Sequence, residues 1–304
     1  MRYIAQRLLH GVFVLFGIST VVFALTWLTG DPASVLLPVN TPPDQVEVFR
    51  HQMGFDQPLP VQYLAFLGRA VHGDFGVSFR NRTAALPLVL SRLPVTLKLM
   101  ASALLFAVLV ALPLGMLAAA FHDKPPDYLA RFVALFGQSV ATPWLGIMLI
   151  FVFAVNLRWL PSSGAAQPQS IILPAIVAGA YSAAGLTRLL RSSLLEVLSN
   201  EYIRTARAKG LTMWMVMWRH ALKNAAIPFI TFLGIQITFM FGNTVIAEAM
   251  FAYPGMSRLA VEAITTRDVP VIQVFVLLAG ALVVVVNFVA DLLYAWLDPR
   301  IQLA

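Results

Sequence analysis

Six long runs of apolar residues constrain this chain more than any other feature of its sequence. The runs lie near residues 8–28, 96–121, 132–156, 171–187, 225–250 and 271–297. A run of about 20 apolar residues can cross the hydrocarbon core of a bilayer as an α-helix. Lipid offers the backbone no hydrogen-bond partners, so a helix, which closes its own bonds, is the structure expected of each run. The sequence therefore predicts an all-α integral membrane protein with about six transmembrane helices.

The composition supports this class. Hydrophobic residues make up 59% of the 304 residues and charged residues only 12%, whereas about a quarter of the residues in a soluble domain are charged. The net charge of +7 would also suit a protein that binds nucleic acid. The basic residues lie mostly in the connecting segments, however, so we attribute the charge to membrane topology. We expect membrane lipids around this chain and no nucleic-acid partner.

The runs divide the chain into three parts. Residues 1–28 form an N-terminal cytoplasmic tip and the first transmembrane helix, whose apolar run is too long for a cleaved secretory signal. Residues 29–95 are too polar to span a membrane, and we interpret them as an external (periplasmic) segment. Residues 96–304 contain the other five helices and, between the fourth and the fifth, a polar loop at 188–224.

The distribution of Lys and Arg orients the helices, because short cytoplasmic loops carry more of these residues than external ones. With both termini inside, the short cytoplasmic pieces contain Arg2, Arg7, Lys124, Arg131, Arg188, Arg191, Arg204, Arg207, Lys209, Arg219, Lys223 and Arg300. The short external loops contain Arg158, Arg258 and Arg267. We therefore expect the N-terminus and the C-terminus to be cytoplasmic.

The sequence lacks the motifs of catalysis and cofactor binding. It has no cysteine, which excludes disulfides, thiolate metal sites and cysteine nucleophiles. It has no Gly-Lys pair, and therefore no phosphate-binding loop of the Walker type, and neither His-Glu-x-x-His nor Gly-x-Ser-x-Gly occurs. The five histidines are scattered among different segments. We expect no catalytic, cofactor or metal site in this chain, which disfavours a membrane enzyme.

Polar residues inside the spans are candidates for the lining of a pore. Gln138, Ser139 and Thr142 lie in the third span. Gln236 and Asn243 lie in the fifth, and their spacing of seven residues places both on one helical face. Such residues line a wet pathway or form hydrogen bonds between helices, and the sequence leaves both interpretations open.

Charged residues are sparse within the predicted spans. Lys98 and Glu248 lie near helix ends, where an interfacial position accounts for them, and Asp291 lies deeper. An ion-coupled carrier usually buries a relay of ionisable groups near mid-membrane. A secondary carrier is therefore less favoured than a passive conduit driven by another subunit.

The loop 188–224 is strongly patterned. Ser199 or Asn200 can cap a short helix over 201–209, and Gly210 follows where a helix ends in a left-handed residue. Thr212 can cap a second helix. That helix carries on one face Trp214, Met217, Trp218 and Ala221. Two interpretations remain: an amphipathic hairpin that lies on the lipid headgroups, or a rigid docking element for a cytosolic partner.

One string in this loop resembles a known family. Glu201-Tyr202-Ile203-Arg204-Thr205-Ala206-Arg207-Ala208-Lys209-Gly210-Leu211 is followed by Arg219-His220-Ala221-Leu222-Lys223-Asn224 and Ile227-Pro228. These strings are similar to the coupling loop of the permeases of binding-protein-dependent ABC importers, in the dipeptide, oligopeptide, glutathione and nickel branch. The general form of that loop is Glu-Ala-Ala, three residues, then Gly. Here Arg204-Thr205-Ala206 replaces Glu-Ala-Ala, as is usual in the peptide branch, and Gly210 matches the family glycine.

Shorter strings extend the resemblance over essentially the whole chain. They are Gly30-Asp31-Pro32-Ala33, Gly54-Phe55-Asp56-Gln57-Pro58-Leu59-Pro60, Gly73-Asp74-Phe75-Gly76, Arg92-Leu93-Pro94-Val95-Thr96-Leu97, Trp159-Leu160-Pro161, Tyr253-Pro254-Gly255 and Asp298-Pro299-Arg300. Each string is weak alone, whereas their order and spacing together are specific.

The resemblance implies a fold like that of a type I ABC importer permease in a bacterial inner membrane. It implies three kinds of partner: a second homologous permease, two cytosolic ATPase subunits that bind ATP and Mg²⁺, and an extracytoplasmic solute-binding protein docked near 29–95. It assigns contact with the ATPase to Glu201, Arg204, Thr205, Ala206, Ala208, Lys209 and Gly210. The implied substrate is a peptide, with glutathione-like peptides next and nickel complexes third.

Overall fold

The computed structural model describes residues 2–28 and 41–297 of the chain. The strings at 30–33 and 298–300, the first residues of the external segment and the side chain of Asp291 lie outside the described part. The helices are α1 (Arg2–Leu28), α2 (Pro43–Met53), α3 (Leu59–Val71), α4 (Ala85–Ala120), α5 (Pro125–Ser139), α6 (Thr142–Leu149), α7 (Ile172–Leu198), α8 (Glu201–Ala208), α9 (Met213–Val216), α10 (Leu222–Met250), α11 (Met256–Thr265) and α12 (Val269–Leu297). Within the described residues no strand forms, and the only β-type pairing is an isolated bridge between Val77 and Ala84.

Each predicted span falls in a helical part of the structure, although the third is divided between two helices. Four continuous helical stretches are long and apolar enough to cross a membrane, namely Ala85–Ala120, Pro168–Leu198, Met213–Met250 and Val269–Ala290. The pair Pro125–Ser139 and Thr142–Asn156 supplies a fifth span if it is counted as one. The shorter apolar stretch Leu9–Ala24 lies within α1, where the first span was predicted. The all-α membrane class is therefore confirmed.

The third span is not one helix, as 132–156 had been predicted to be. It breaks after Ser139, where Val140 and Ala141 adopt extended backbone, and the two halves meet at a bend of 108°. Pro143 explains the break: in a continuous helix its ring would clash with the carbonyl of Ser139, and it has no N–H to donate. At the start of α6 the missing donor does no harm, because the first N–H groups of a helix have no intrahelical acceptor.

The chain divides into two compact units. The first comprises Met1–Pro94 and Gly255–Val285, and the second comprises Val95–Pro254 and Val286–Ala304. In the first unit, α1 packs against α3 through the hydroxyl of Tyr63, which lies 2.8 Å from both Ser19 Oγ and Thr20 Oγ1. The ring of Tyr63 also contacts Phe23, with centroids 5.3 Å apart. Aromatic burial and two hydroxyl contacts thus fix α3 on α1.

The second unit is built around α7, which is rich in small residues and largely buried. Ala178, Gly179, Ser182 and Ala183 are all buried. A Cβ added to Gly179 would lie 2.5 Å from the backbone oxygen of Ala103 in α4, which only a residue without a side chain permits. This confirms that small residues bring the helix backbones close together.

Helix α7 is longer than the span predicted at 171–187, because it continues to Leu198. Its 27 residues extend for about 40 Å at 1.5 Å per residue, well beyond a hydrocarbon core of about 30 Å. The first part of the loop 188–224 is therefore a rigid continuation of a transmembrane helix.

Candidate functional site

The short helix α8 forms where it was predicted, but neither Ser199 nor Asn200 caps its start through a side-chain hydrogen bond. It follows Asn200, whose backbone is extended. Gly210 has a φ of +82°, its N–H donates to the carbonyl of Arg207 at 2.9 Å, and Leu211 N–H reaches the carbonyl of Ala206 at 3.4 Å. A left-handed residue that turns the chain back on the last carbonyls is the usual end of a helix, and glycine adopts it without a Cβ penalty.

The two faces of α8 have different surroundings. Ile203 and Ala206 are buried in the hydrophobic core of the second unit, at 0% and 8% exposure. The other residues that the resemblance assigns to ATPase contact are exposed: Glu201, Arg204, Thr205, Ala208, Lys209 and Gly210. Arg204 pairs with Glu201 at 3.3 Å, a surface ion pair that contributes little to stability. The structure thus presents six of these residues to the outside and turns Ala206 inward.

The chain beyond Gly210 does not form a separate second helix. Thr212 caps α9 by accepting a hydrogen bond from Met215 N–H at 3.4 Å. Helix α9 then passes through a π-helical turn, Met217–Ala221, into α10. The loop at 188–224 therefore runs without a break into the fifth span and is tied directly to it.

The predicted apolar face of this stretch is buried only in part. Met217 and Ala221 are fully buried, whereas Trp214 and Trp218 are about half exposed and contact each other edge to face, with centroids 6.0 Å apart. The prediction rested on a period of 3.6 residues, from which a π-helical turn departs. Val216, which was not predicted, completes the buried face.

Two polar contacts hold the loop together. Asn224 Nδ2 donates to the hydroxyl of Tyr202 at 2.6 Å, which joins the start of α8 to α10. Arg207 Nη2 lies 3.3 Å from Met213 Sδ, which joins the end of α8 to α9. With the buried residues of both parts in one core, these contacts make one packed segment, called the coupling knob (residues 201–224) after the family resemblance.

A buried ion pair, for which the sequence holds no local signal, joins α5 to α7. Asp127 in the first turn of α5 is fully buried and accepts from Arg191 of α7 through two parallel bonds, Nε to Oδ1 at 2.7 Å and Nη2 to Oδ2 at 2.8 Å. Asp123 N–H donates to Oδ2 at 3.0 Å. Both arginines of this region, Arg131 and Arg191, had been treated only as indicators of topology. No local pattern could pair residues so far apart in the chain.

The same place holds the one group of three potential metal ligands among the described residues, His122, Asp123 and Asp127. It is poorly suited to a cation, because Arg191 occupies both oxygens of Asp127 and Arg131 Nη2 lies 3.1 Å from Oδ2. A metal ion would have to displace positive charge that already neutralises the carboxylate.

The polar residues of the spans fall into two groups. Gln138, Ser139 and Thr142 lie around the break between α5 and α6 and are partly or fully exposed. Gln236 is buried at 4% exposure and accepts from the hydroxyl of Ser182 at 3.1 Å, which links α10 to α7. Asn243, seven residues further along the same face of α10, is partly exposed. The contacts of Gln236 are those of helix packing, whereas the other four have accessible surface.

Glu248, which lies near a helix end as predicted, is buried inside the second unit. It is 0% exposed and accepts a hydrogen bond from the Thr96 hydroxyl at 2.6 Å, which links α10 to α4. A carboxylate so buried is stable only with hydrogen-bonding partners.

In the segment predicted to be external, hydrogen bonds hold the loop that follows Ser78. Ser78 is fully buried and donates to Asp268 Oδ2 at 2.5 Å, while the N–H of Phe79 lies 3.3 Å from Oδ1. The loop beyond Ser78 exposes Arg80 and Arg82, and Arg82 has a positive φ of 51°. The hydrogen bonds to Asp268 hold this basic loop in one conformation within the first unit.

The sequence matches models of a known family of transport proteins. A model of the family described as "Binding-protein-dependent transport system inner membrane component" matches residues 111–303, and the N-terminal model of the same kind of protein matches residues 1–100. The chain belongs to this family. The permease is 39% identical over 303 residues to the "Glutathione transport system permease protein GsiC" of Escherichia coli (strain K12), with 99% of each chain covered. The protein of the same name from Shigella flexneri serotype 5b is also 39% identical over 99% of each chain.

Solved structures share the fold of the permease. The structure titled "Inward facing conformations of the MetNI methionine ABC transporter: CY5 native crystal form" matches with a TM-score of 0.56 and 16% identity, covering 69% of this chain and 96% of that one. An "amino acid ABC transporter with histidines" matches with a TM-score of 0.54 and 17% identity, covering 69% and 94%. The permease therefore has the type I ABC importer fold, as the coupling loop had indicated, and is an inner membrane component of a transport system.

Proposed function

We propose that this permease forms half of the translocation pathway of an ATP-driven importer for glutathione or short peptides. The observation that carries the substrate class is the 39% identity to a glutathione permease over 99% of both chains. The lack of a phosphate-binding loop agrees with a subunit whose energy comes from a partner. A nickel complex is the alternative substrate within the same branch.

The coupling knob is the proposed contact with the ATPase subunits. Its outward residues Glu201, Arg204, Thr205, Ala208, Lys209 and Gly210 would meet a groove of the ATPase, while Ile203 and Ala206 hold α8 to the permease core. ATP and Mg²⁺ would be bound by the two ATPase subunits and not by this chain. A rigid helix with one buried face transmits a push better than a flexible loop, because little of the displacement is lost in deforming it.

The external partner would be a solute-binding protein that docks near 29–95. The loop that Ser78 and Asp268 hold in place supports this, since its exposed arginines are already ordered and binding would cost little additional entropy. The pathway itself would form with a second, homologous permease. Gln138, Ser139, Thr142, Gln236 and Asn243 are the proposed polar lining, with the support for Gln236 weakest because it is buried against Ser182.

Uptake by cells that carry or lack the gene of this chain tests the proposal. Labelled glutathione, the dipeptide Ala-Ala and ⁶³Ni²⁺ are the three probes, and a plasmid copy of the gene is the control. We expect glutathione or dipeptide uptake to be lost with the gene and restored by the plasmid. Loss of nickel uptake alone would replace the substrate class. Uptake by the purified chain alone, in vesicles without any ATPase, would contradict the importer.

A further inference from the structure

The coupling knob is connected to the transmembrane helices by a very short path. Helix α7 ends at Leu198, and only Ser199 and Asn200 separate it from α8. Both intervening residues are themselves tied to the end of α7, since Ser199 N–H and Asn200 N–H donate to the carbonyls of Glu196 and Val197. A displacement of α8 must therefore move the end of α7.

Helix α5 is packed along the middle of α7, from Ala180 to Arg191. Ala130 and Ala134 of α5 are buried, at 1% and 2% exposure. A Cβ on Gly137 would lie 3.5 Å from the carbonyl oxygen of Ala180 and 3.6 Å from Cβ of Ala184, so the two backbones are close. These contacts are made by backbone and small side chains, which form no directional bond between the two helices.

The pair of Asp127 and Arg191 supplies the directional contact that the small residues lack. Two parallel charge-assisted bonds of 2.7 and 2.8 Å fix both the distance and the relative rotation of the two side chains. Asp127 is fully buried, and the Arg191 side chain is only 18% exposed. A buried ion pair adds little net stability compared with apolar residues of the same size, so its distinctive contribution is geometric.

Helix α5 leads from this pair to the break of the third span. It begins at Pro125, two residues before Asp127, and ends at Ser139, directly before the extended residues Val140 and Ala141. The break is also where the polar residues of the third span lie. A rotation of α5 imposed at Asp127 would therefore reach the break without passing through any flexible segment.

We propose that Asp127 and Arg191 are positioning residues that lock α5 to α7, so that movement of the coupling knob is passed to the break at Val140 and Ala141. This inference rests on the proposed function, because the movement would come from an ATPase subunit. It assigns no chemistry to the pair. Without it, α7 would still follow the coupling knob, but α5 would lag behind.

The absence of native cysteine in this chain allows two clean reporters. Leu129→Cys in α5 and Glu196→Cys in α7 are both exposed positions, and spin labels there report the α5–α7 distance. Ala141→Cys, also exposed, reports the break through its rate of reaction with a water-soluble maleimide. The α5–α7 distance and the maleimide reaction rate are both measured in the complex purified through a tag on this chain, with and without ATP and vanadate.

Three variants separate the inference from a merely structural role. Asp127→Asn keeps the shape and removes the charge, and Arg191→Lys keeps the charge and removes the parallel pair of bonds. Asp123→Asn is the matched control, because that carboxylate belongs to the same cluster but its side chain is 63% exposed. Should Asp127→Asn fail to assemble, Arg191→Lys decides.

With the pair intact and in the Asp123→Asn control, we expect one narrow α5–α7 distance in both nucleotide states and a maleimide rate at position 141 that changes with nucleotide. In Asp127→Asn and Arg191→Lys we expect the distance to broaden or shift with ATP and vanadate, and the nucleotide response at 141 to fall by about tenfold, as for the loss of a charge-assisted contact.

Wild-type responses of both reporters in both variants would overturn the inference. A complex without any ATPase subunit would overturn the proposed function and the inference together, whereas an active ATPase with an unresponsive position 141 in the intact protein would overturn the inference alone.

Discussion

Gly210 offers the sharpest test of the coupling knob. It ends α8 with a φ of +82°, and its N–H donates to the carbonyl of Arg207 at 2.9 Å. The side-chain direction is open, since a Cβ placed there would have no heavy atom within 4 Å. Substitution therefore changes the backbone preference and nothing else nearby.

The size of the effect follows from that geometry. Gly210→Ala meets no steric clash, so its penalty is that of a left-handed alanine, about 1–2 kcal/mol. That penalty lowers the population of the native helix end by roughly 5- to 30-fold relative to any competing end. Gly210→Pro is more severe, because proline fixes φ near −65° and removes the N–H donor. The native end cannot form in that variant, and α8 must end differently.

Uptake and ATP hydrolysis by the reconstituted complex measure the consequence. We expect Gly210→Ala to reduce uptake per ATP hydrolysed and Gly210→Pro to abolish it, while the protein still reaches the membrane. Gly54→Ala is the matched control, because Gly54 also ends a helix with a positive φ, of 70°, but lies in the external segment. It carries the same backbone penalty at a site that we do not expect to contact the ATPase.

Comparing the variants of Gly210 and Gly54 tests whether the end of α8 transmits movement. Normal coupling in Gly210→Pro would refute the claim that the end of α8 transmits movement. Equal loss in Gly54→Ala and Gly210→Ala would also refute it, since general instability would then explain both. The thermal unfolding temperatures of the two alanine variants show whether both substitutions destabilise the protein equally. We expect the two temperatures to shift by similar amounts.

Three further outcomes are expected. Gly179→Val should lower the thermal stability of the purified permease by about 1–3 kcal/mol, because it forces α7 away from α4; an unchanged melting curve would contradict the close approach. Asp268→Asn should loosen the loop held by Ser78 and raise its rate of proteolysis outside the cell, and equal rates for both proteins would count against an ordered loop. Gln236→Leu combined with Asn243→Leu should alter the KM or maximal rate of uptake if this face is wet, whereas normal uptake kinetics would assign both residues to helix packing.

Local signals in the sequence were sufficient to predict where α8 ends and where α9 begins. The end of α8 depends on one glycine and one adjacent turn, and its start and the cap at Thr212 depend on residues within four positions. Short-range rules of this kind hold wherever the segment lies. The candidate ATPase-contact residues of the coupling knob came from the family resemblance instead, and the inward position of Ala206 was not predicted.

Long-range pairings could not be read from the sequence. Arg191 is 64 residues from Asp127, and Ser78 is 190 residues from Asp268. A charged residue in a connecting segment has the same local pattern whether it faces water or a buried partner. Glu248 shows the same limit, because only the packing of α10 against α4 places the Thr96 hydroxyl beside it.

The sequence by itself determined the membrane class, the number of apolar runs, the helix break at Gly210 and the family. These properties depend on hydrophobic length and on capping, which act over a few turns of helix. Only the tertiary structure decided that α7 continues to Leu198 and that α5 is bonded to it through Asp127 and Arg191. The physical reason is that close packing selects which distant groups meet, and a buried charge is retained only where that packing supplies its partner.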